Sequence, residues 1–163
     1  MKETMKKLLL ELMKDSSRSD RKLAKVLGVS QATVSRMRSK LVSERIIREF
    51  TVIPDFVKMG YEIMAISFVK TKMAAEMRER AEKYVDEHAN IIFMTGAQGM
   101  GRNGLMISLH KDYAGYSDFL SDLLMYWGDD VEERDDILIS LKQPPVRPFS
   151  LSYLAKLEEK PEG

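Results

Sequence analysis

Leu23-Ala24-Lys25-Val26-Leu27-Gly28-Val29-Ser30-Gln31-Ala32-Thr33-Val34-Ser35-Arg36 holds an apolar stripe, a turn, a helix cap and a polar face in one short stretch. Leu23, Ala24 and Leu27 recur at helical spacing; Ser19 stands where a side chain caps a helix, and Asp20 puts a negative charge at the positive end of the helix dipole. Gly28 ends this helix because it takes a left-handed backbone without steric cost. Ser30 then caps the next helix, with Val29 and Val34 at the two positions of a hydrophobic staple. Along that helix Val34, Met37 and Leu41 form a narrow buried stripe, and the other face is small at its start and cationic further on. Upstream, Met5, Leu8, Leu9 and Leu12 predict an amphipathic helix over residues 2–13.

Two short helices joined by a tight glycine turn, the second one polar and basic, form the helix-turn-helix pattern, whose second helix enters the DNA major groove. The candidate DNA-binding residues are Ser30, Gln31, Ala32, Thr33, Ser35, Arg36, Arg38, Ser39 and Lys40. Gln31 suits adenine, Arg36 forks onto guanine, and the Ala32 and Thr33 methyls suit the thymine methyl. Arg38, Lys40 and the free helix N-terminus suit phosphate. Beyond Glu44 the run Ile46-Ile47-Arg48-Glu49-Phe50-Thr51-Val52-Ile53 is β-rich and closes at Pro54, as a wing or connecting strand does.

Charge divides the chain. Residues 1–60 hold 14 Lys and Arg against 7 Asp and Glu, a balance of +7, and residues 61–163 hold 12 against 18, a balance of −6. A basic module that meets a polyanion is thus joined to an acidic module with another task. With no Cys there is no disulfide framework and no thiolate metal site, which fits a reducing, intracellular compartment. No uncharged stretch approaches the ~18 residues of a membrane span.

In the acidic module 63–69 reads as a strand, 73–88 as an amphipathic helix, 91–95 and 105–110 as two more strands, 112–127 as a second helix and 136–142 as a fourth strand. The Gly-rich segment 96–104 predicts a long hairpin tip. The order β-α-β-β-α-β is the ferredoxin-like arrangement, so the fold class is α+β: a winged helix-turn-helix over 1–53, a linker over 54–60, a ferredoxin-like domain over 61–142 and a tail over 143–163. Both helices fall on one face of the sheet, and the strands are apolar on two. A second copy of the chain covers the open face most simply, giving an isologous homodimer.

This organisation resembles the Lrp/AsnC (feast/famine) family of prokaryotic transcriptional regulators from residue 1 to about 145. The resemblance rests on 23–53 with Val34-Ser35-Arg36 and Ile46-Ile47-Arg48, on Pro54 through Gly60, and on Met94-Thr95-Gly96 leading into the hairpin. It implies a cytoplasmic regulator that binds palindromic promoter DNA as a dimer, with further assembly to tetramers or octamers. It also implies a small effector such as an amino acid held near the hairpin, for which Gly96, Gln98, Gly99, Gly101, Arg102 and Asn103 are the candidate residues. The chain departs from the pattern in three places, the first being an unusually Gly-rich hairpin tip. Arg102-Asn103 stands where a short acidic motif is expected after Gly96, and the tail from Pro144 carries Leu151, Leu154 and Leu157 at helical spacing where relatives are expected to have ended.

A branch similar to this fold decarboxylates sirohaem, so an enzyme or tetrapyrrole binder is the alternative. It needs a histidine as acid or axial ligand, and the chain has His88 and His110, at a helix end and a strand end where packing or capping is the commoner role. There is no Ser/His/Asp set, no cysteine nucleophile and no His-x-x-His spacing, so no catalytic residue, metal or cofactor is assigned. The Gly-x-x-Gly-x-Gly of 96–101 lies between two strands, whereas a dinucleotide fingerprint lies between a strand and a helix. Residues 129–136, with six acids in eight, read as a solvated loop ahead of a cation site. The 12 Met read as core packing.

Overall fold

The computed structural model describes residues 1–72 and 76–158. Its elements in chain order are α1 Glu3–Lys14, α2 Asp20–Leu27, α3 Gln31–Ser43, β1 Ile63–Thr71, α4 Met77–Glu87, β2 Ile91–Gly99, β3 Arg102–His110, α5 Tyr113–Trp127, a 3-10 turn Gly128–Asp130, β4 Val131–Ser140 and α6 Ser152–Glu158. They divide into two compact units, one formed by Met1–Ile53 with the chain from Arg147 onward, the other by Pro54–Val146.

The N-terminal unit is built as its local signals dictate. Ser19 accepts from the Lys22 amide, Gly28 turns the chain at φ 67°, and Ser30 accepts from the Thr33 amide. Met5, Leu8, Leu12, Leu23, Ala24, Val34 and Leu41 close one core, with Leu9, Leu27, Val29, Met37 and Ile47 packed around it. The tail joins this unit: α6 packs on α1 with Ala155 fully buried, and Lys6 Nζ lies 2.9 Å from Glu158 Oε2. The run 46–53 forms no strand, contrary to its β propensity. Among the described residues no strand neighbours its backbone, and β propensity is realised only through such pairing. Ile47 packs on the core, while Phe50, Val52 and Ile53 stay exposed.

The C-terminal unit is an antiparallel sheet in the order β2-β3-β1-β4. Tyr84, Met106, Phe119, Leu123 and Trp127 fill the space between its inner face and α4 and α5. Ala65, Ser67 and Val69 of β1 face inward and alternate with half-buried Met64, Ile66 and Phe68. The Gly-rich segment is not a long tip. β2 runs to Gly99 and β3 starts at Arg102, so only Met100 and Gly101 remain, at φ 50° and 72°. Two successive positive φ angles are what a two-residue hairpin turn requires. The acidic run 129–136 is not a loop either, since it contains the 3-10 turn and the first part of β4. The predicted helix over 73–88 begins, among described residues, at Met77; Met73 lies outside them.

Candidate nucleic-acid interface

On α3, Val34 and Leu41 are fully buried and Met37 half-buried, which turns Gln31, Ala32, Ser35, Arg36, Ser39 and Lys40 to the exposed side. Ser30 Oγ lies 2.8 Å from Thr33 Oγ1 and 3.1 Å from the Thr33 amide, so both side chains complete the cap while remaining at the surface. Arg36 has no partner among the described residues, and Lys40 meets Glu44 only at 3.4 Å in an exposed pair worth little in water. The face therefore offers an amide, small side chains and a free guanidinium along one exposed helix. Arg38 is employed differently from the other eight candidates: its Nε and Nη2 lie 2.9 and 2.8 Å from Asp20 Oδ1. Its Nη2 also donates to the Arg18 carbonyl at 3.2 Å. Its guanidinium is thus bonded inside the unit.

Sequence reasoning passed over Arg21 and Lys22 in the first turn of α2, and Arg45 and Arg48 after α3, all exposed and without a partner among the described residues. For Arg21, Lys22 and Arg36 a signal was present, because no acid stands three or four residues away to pair with them on the helix.

The hairpin residues are dispersed. Gly96, Gln98 and Asn103 line a cavity of about 890 Å³ between the inner sheet face and α4, which Met77, Ala81, Met94, Met106 and Trp127 also line. Asn103 is occupied: its Oδ1 accepts from the Thr71 amide at 2.9 Å and its Nδ2 donates to the Thr71 carbonyl at 2.7 Å, so a side chain extends the β1–β3 ladder. Gly99 ends β2 and Gly101 belongs to the turn, and neither borders the cavity. Arg102 does not border it either; it donates to Glu133 Oε2 and Asp135 Oδ2, each at 2.6 Å. Hydrogen bonds from Lys70 and Arg102 hold the Glu133 carboxyl below its usual range.

Both histidines are held by contacts within the C-terminal unit. His88 stacks on Tyr84 with its Nε2 2.9 Å from Asp122 Oδ2. His110 is buried, with Nε2 2.8 Å from Ser108 Oγ and its ring against Tyr116 and Phe119. Burial holds its imidazole below the usual range against an opposing backbone bond at Gly115, and the Arg134 charge adds to the lowering. Burial also pushes Tyr116 up to about 12, helped by its 2.7 Å bond to Asp136. Among the described residues no group of three or more His, Cys, Asp or Glu is placed to hold a metal ion, and no helix is long and apolar enough to cross a membrane.

Comparison with known proteins places this geometry. The winged helix-turn-helix DNA-binding family matches residues 1–48. An uncharacterized HTH-type transcriptional regulator of Pyrococcus horikoshii, PH0061, is 31% identical over 120 residues, covering 71% of this chain and 78% of the relative. The transcriptional regulator AzlB of Bacillus subtilis is 28% identical over 125 residues, with 76% and 78% covered. The crystal structure of PH0061 superposes with a TM-score of 0.79 at 26% identity, over 92% of this chain and 97% of the other. At 92%, that coverage is more than residues 1–142 alone can supply, so this one relative is matched past β4. Escherichia coli AsnC shares the fold, with a TM-score of 0.75 at 15% identity over 93% of this chain and 98% of the other. These relatives are regulators, and none favours the sirohaem enzyme. The chain belongs to the Lrp/AsnC family of HTH-type, DNA-binding transcriptional regulators.

Proposed function

We propose that the chain binds promoter DNA as a homodimer, with α3 in the major groove and Gln31, Ala32, Ser35 and Arg36 at base edges. The carrying observation is the exposed face of α3, whose one free guanidinium among the described residues, Arg36, has no carboxylate in reach. Arg21, Lys22, Lys40, Arg45 and Arg48 supply phosphate contacts around it, with Ser30, Thr33 and Ser39 at the edge of the contact. The open face of the sheet supports the dimer. Ile66 stands opposite Ile107 and Ile137, Ile107 opposite Phe93, and Met64 opposite Ile139, which makes a continuous apolar surface. Phe93 is 51% and Ile137 53% exposed, an arrangement that a second copy of the chain would bury. Such a dimer presents two α3 helices to successive half-sites in the cytoplasm, where the chromosome lies, and dimers of dimers present four.

A small effector of amino-acid type is the finer part of the reading. A structural relative at 16% identity and a TM-score of 0.78, over 94% of this chain and 99% of the other, is a Neisseria meningitidis regulator solved as an L-Met complex. Here Gly96 and Gln98 remain available for such a ligand, since Arg102 and Asn103 are engaged elsewhere. The test is a titration of the full chain against a fluorescent duplex of its own upstream region and a scrambled duplex at two salt concentrations. Arg36→Ala is expected to cost about 1–3 kcal/mol on the upstream duplex and to relax preference at one base pair. Equal loss on both duplexes would reassign Arg36 to phosphate.

A further inference from the structure

We propose that Arg38 is a positioning residue of the DNA-binding unit, a clasp that holds α3 against α2 and ties the segment after α3 to the reading helix. Four contacts converge on one guanidinium. Two are the bonds from Nε and Nη2 to Asp20 Oδ1, at 2.9 and 2.8 Å, which join the middle of α3 to the first turn of α2. The third is the 3.2 Å bond to the Arg18 carbonyl, in the turn between α1 and α2. Arg18 itself donates to Glu11 of α1, so the network reaches all three helices. The fourth is Phe50, whose ring centre lies 5.6 Å from the Arg38 guanidinium carbon, within cation–π range.

Burial fits this role. The Arg38 and Asp20 side chains each retain 23% exposure, so the pair is shielded enough to hold its geometry. The Phe50 contact acts where Ile46 to Ile53 has no strand to hold it, and it is there that the chain leaves α3 toward the C-terminal unit. A planar fork meets one carboxylate, one carbonyl and one ring face at once, and a lysine ammonium does not reproduce that. A residue in this role affects DNA affinity through the aim of α3 and leaves the number of neutralised phosphates unchanged.

This inference rests on the DNA reading above, and the salt dependence of binding separates the two. Full-length wild type, Arg38→Lys, Phe50→Leu and Arg36→Gln are titrated against the upstream and scrambled duplexes over a salt series, with thermal unfolding alongside. Arg38→Lys is expected to weaken upstream binding about tenfold with the slope of log affinity against log salt unchanged. Phe50→Leu, at a 49% exposed residue whose loss leaves the core intact, is expected to weaken it about threefold, again with the slope unchanged. If Arg38→Lys binds like wild type, or Phe50→Leu has no effect, the clasp is overturned and Arg38 is a phosphate contact or a purely structural residue. If wild type binds neither duplex, or Arg36→Gln changes nothing on either, the DNA reading fails and takes the clasp with it.

Discussion

In the C-terminal unit every arginine faces a partner carboxylate: Arg78 meets Glu82, Arg80 meets Asp130, Arg102 meets Glu133 and Asp135, and Arg134 meets Asp136. In the N-terminal unit Arg21, Arg36, Arg45 and Arg48 are exposed and face none among the described residues. The same side chain thus has two uses. Paired, it satisfies the acids of β4 and the 3-10 turn and steadies the sheet; unpaired on a helix face, it leaves its charge for a polyanion. Of the 25 Asp and Glu, 18 lie in residues 61–163, so residues 1–60, with α3 among them, keep an excess of positive charge.

Core truncation should separate the two regions most clearly. Leu23→Ala, at a fully buried position of the helical core, is expected to cost about 2–5 kcal/mol and to abolish DNA binding. The single Trp of the chain, Trp127, lies in the other core, so its fluorescence should report a second, unshifted unfolding transition. One shared, shifted transition would break the comparison by showing that the units fold as one.

The next effect in size is steric and confined to the sheet. A Cβ at Gly104 would stand 2.7 Å from Val69 Cγ2, and the branched, buried Val69 cannot turn away. Gly104→Ala is therefore expected to lower stability by about 1–3 kcal/mol, visible as a drop in the Trp127 transition with that of the helical unit unmoved. Unchanged stability would mean that β1 and β3 approach less closely than their register implies.

The smallest effect is a pH dependence of the sheet unit. Burial lowers the His110 pKa in the folded state, so the unfolded chain takes up the proton first as pH falls. The stability this holds is fully present above the unfolded value of about 6.5 and is lost progressively below it. His110→Gln should lose less stability than wild type between about pH 7.5 and pH 5, measured by denaturant unfolding followed at Trp127. Equal losses would assign the pH dependence to other groups.

Much of the helix-turn-helix was legible in the chain because its signals are local. A cap at Ser30, a left-handed turn at Gly28 and a stripe of Val34, Met37 and Leu41 act within one or two helical turns, so spacing alone reveals them. The β-α-β-β-α-β order was legible for the same reason, through runs of apolar residues broken by polar ones. Contacts between distant residues were not. No helical spacing links Arg38 to Asp20, and their pairing shows only in space. Pairing of β2 with β3 likewise turned a Gly-rich tip into a two-residue turn, and Arg102 found carboxylates on β4, a strand two places away in the sheet.

The sequence by itself therefore determined the elements, the two modules of opposite charge and the exposed face of α3, because each depends on neighbours along the chain. Tertiary structure decided which charges remain free, which glycines turn, and that residues 46–53 stay unpaired while α6 returns to α1. Those outcomes depend on which surfaces meet, and a side chain's partner is set by distance in space, which spacing along a helix or strand does not encode.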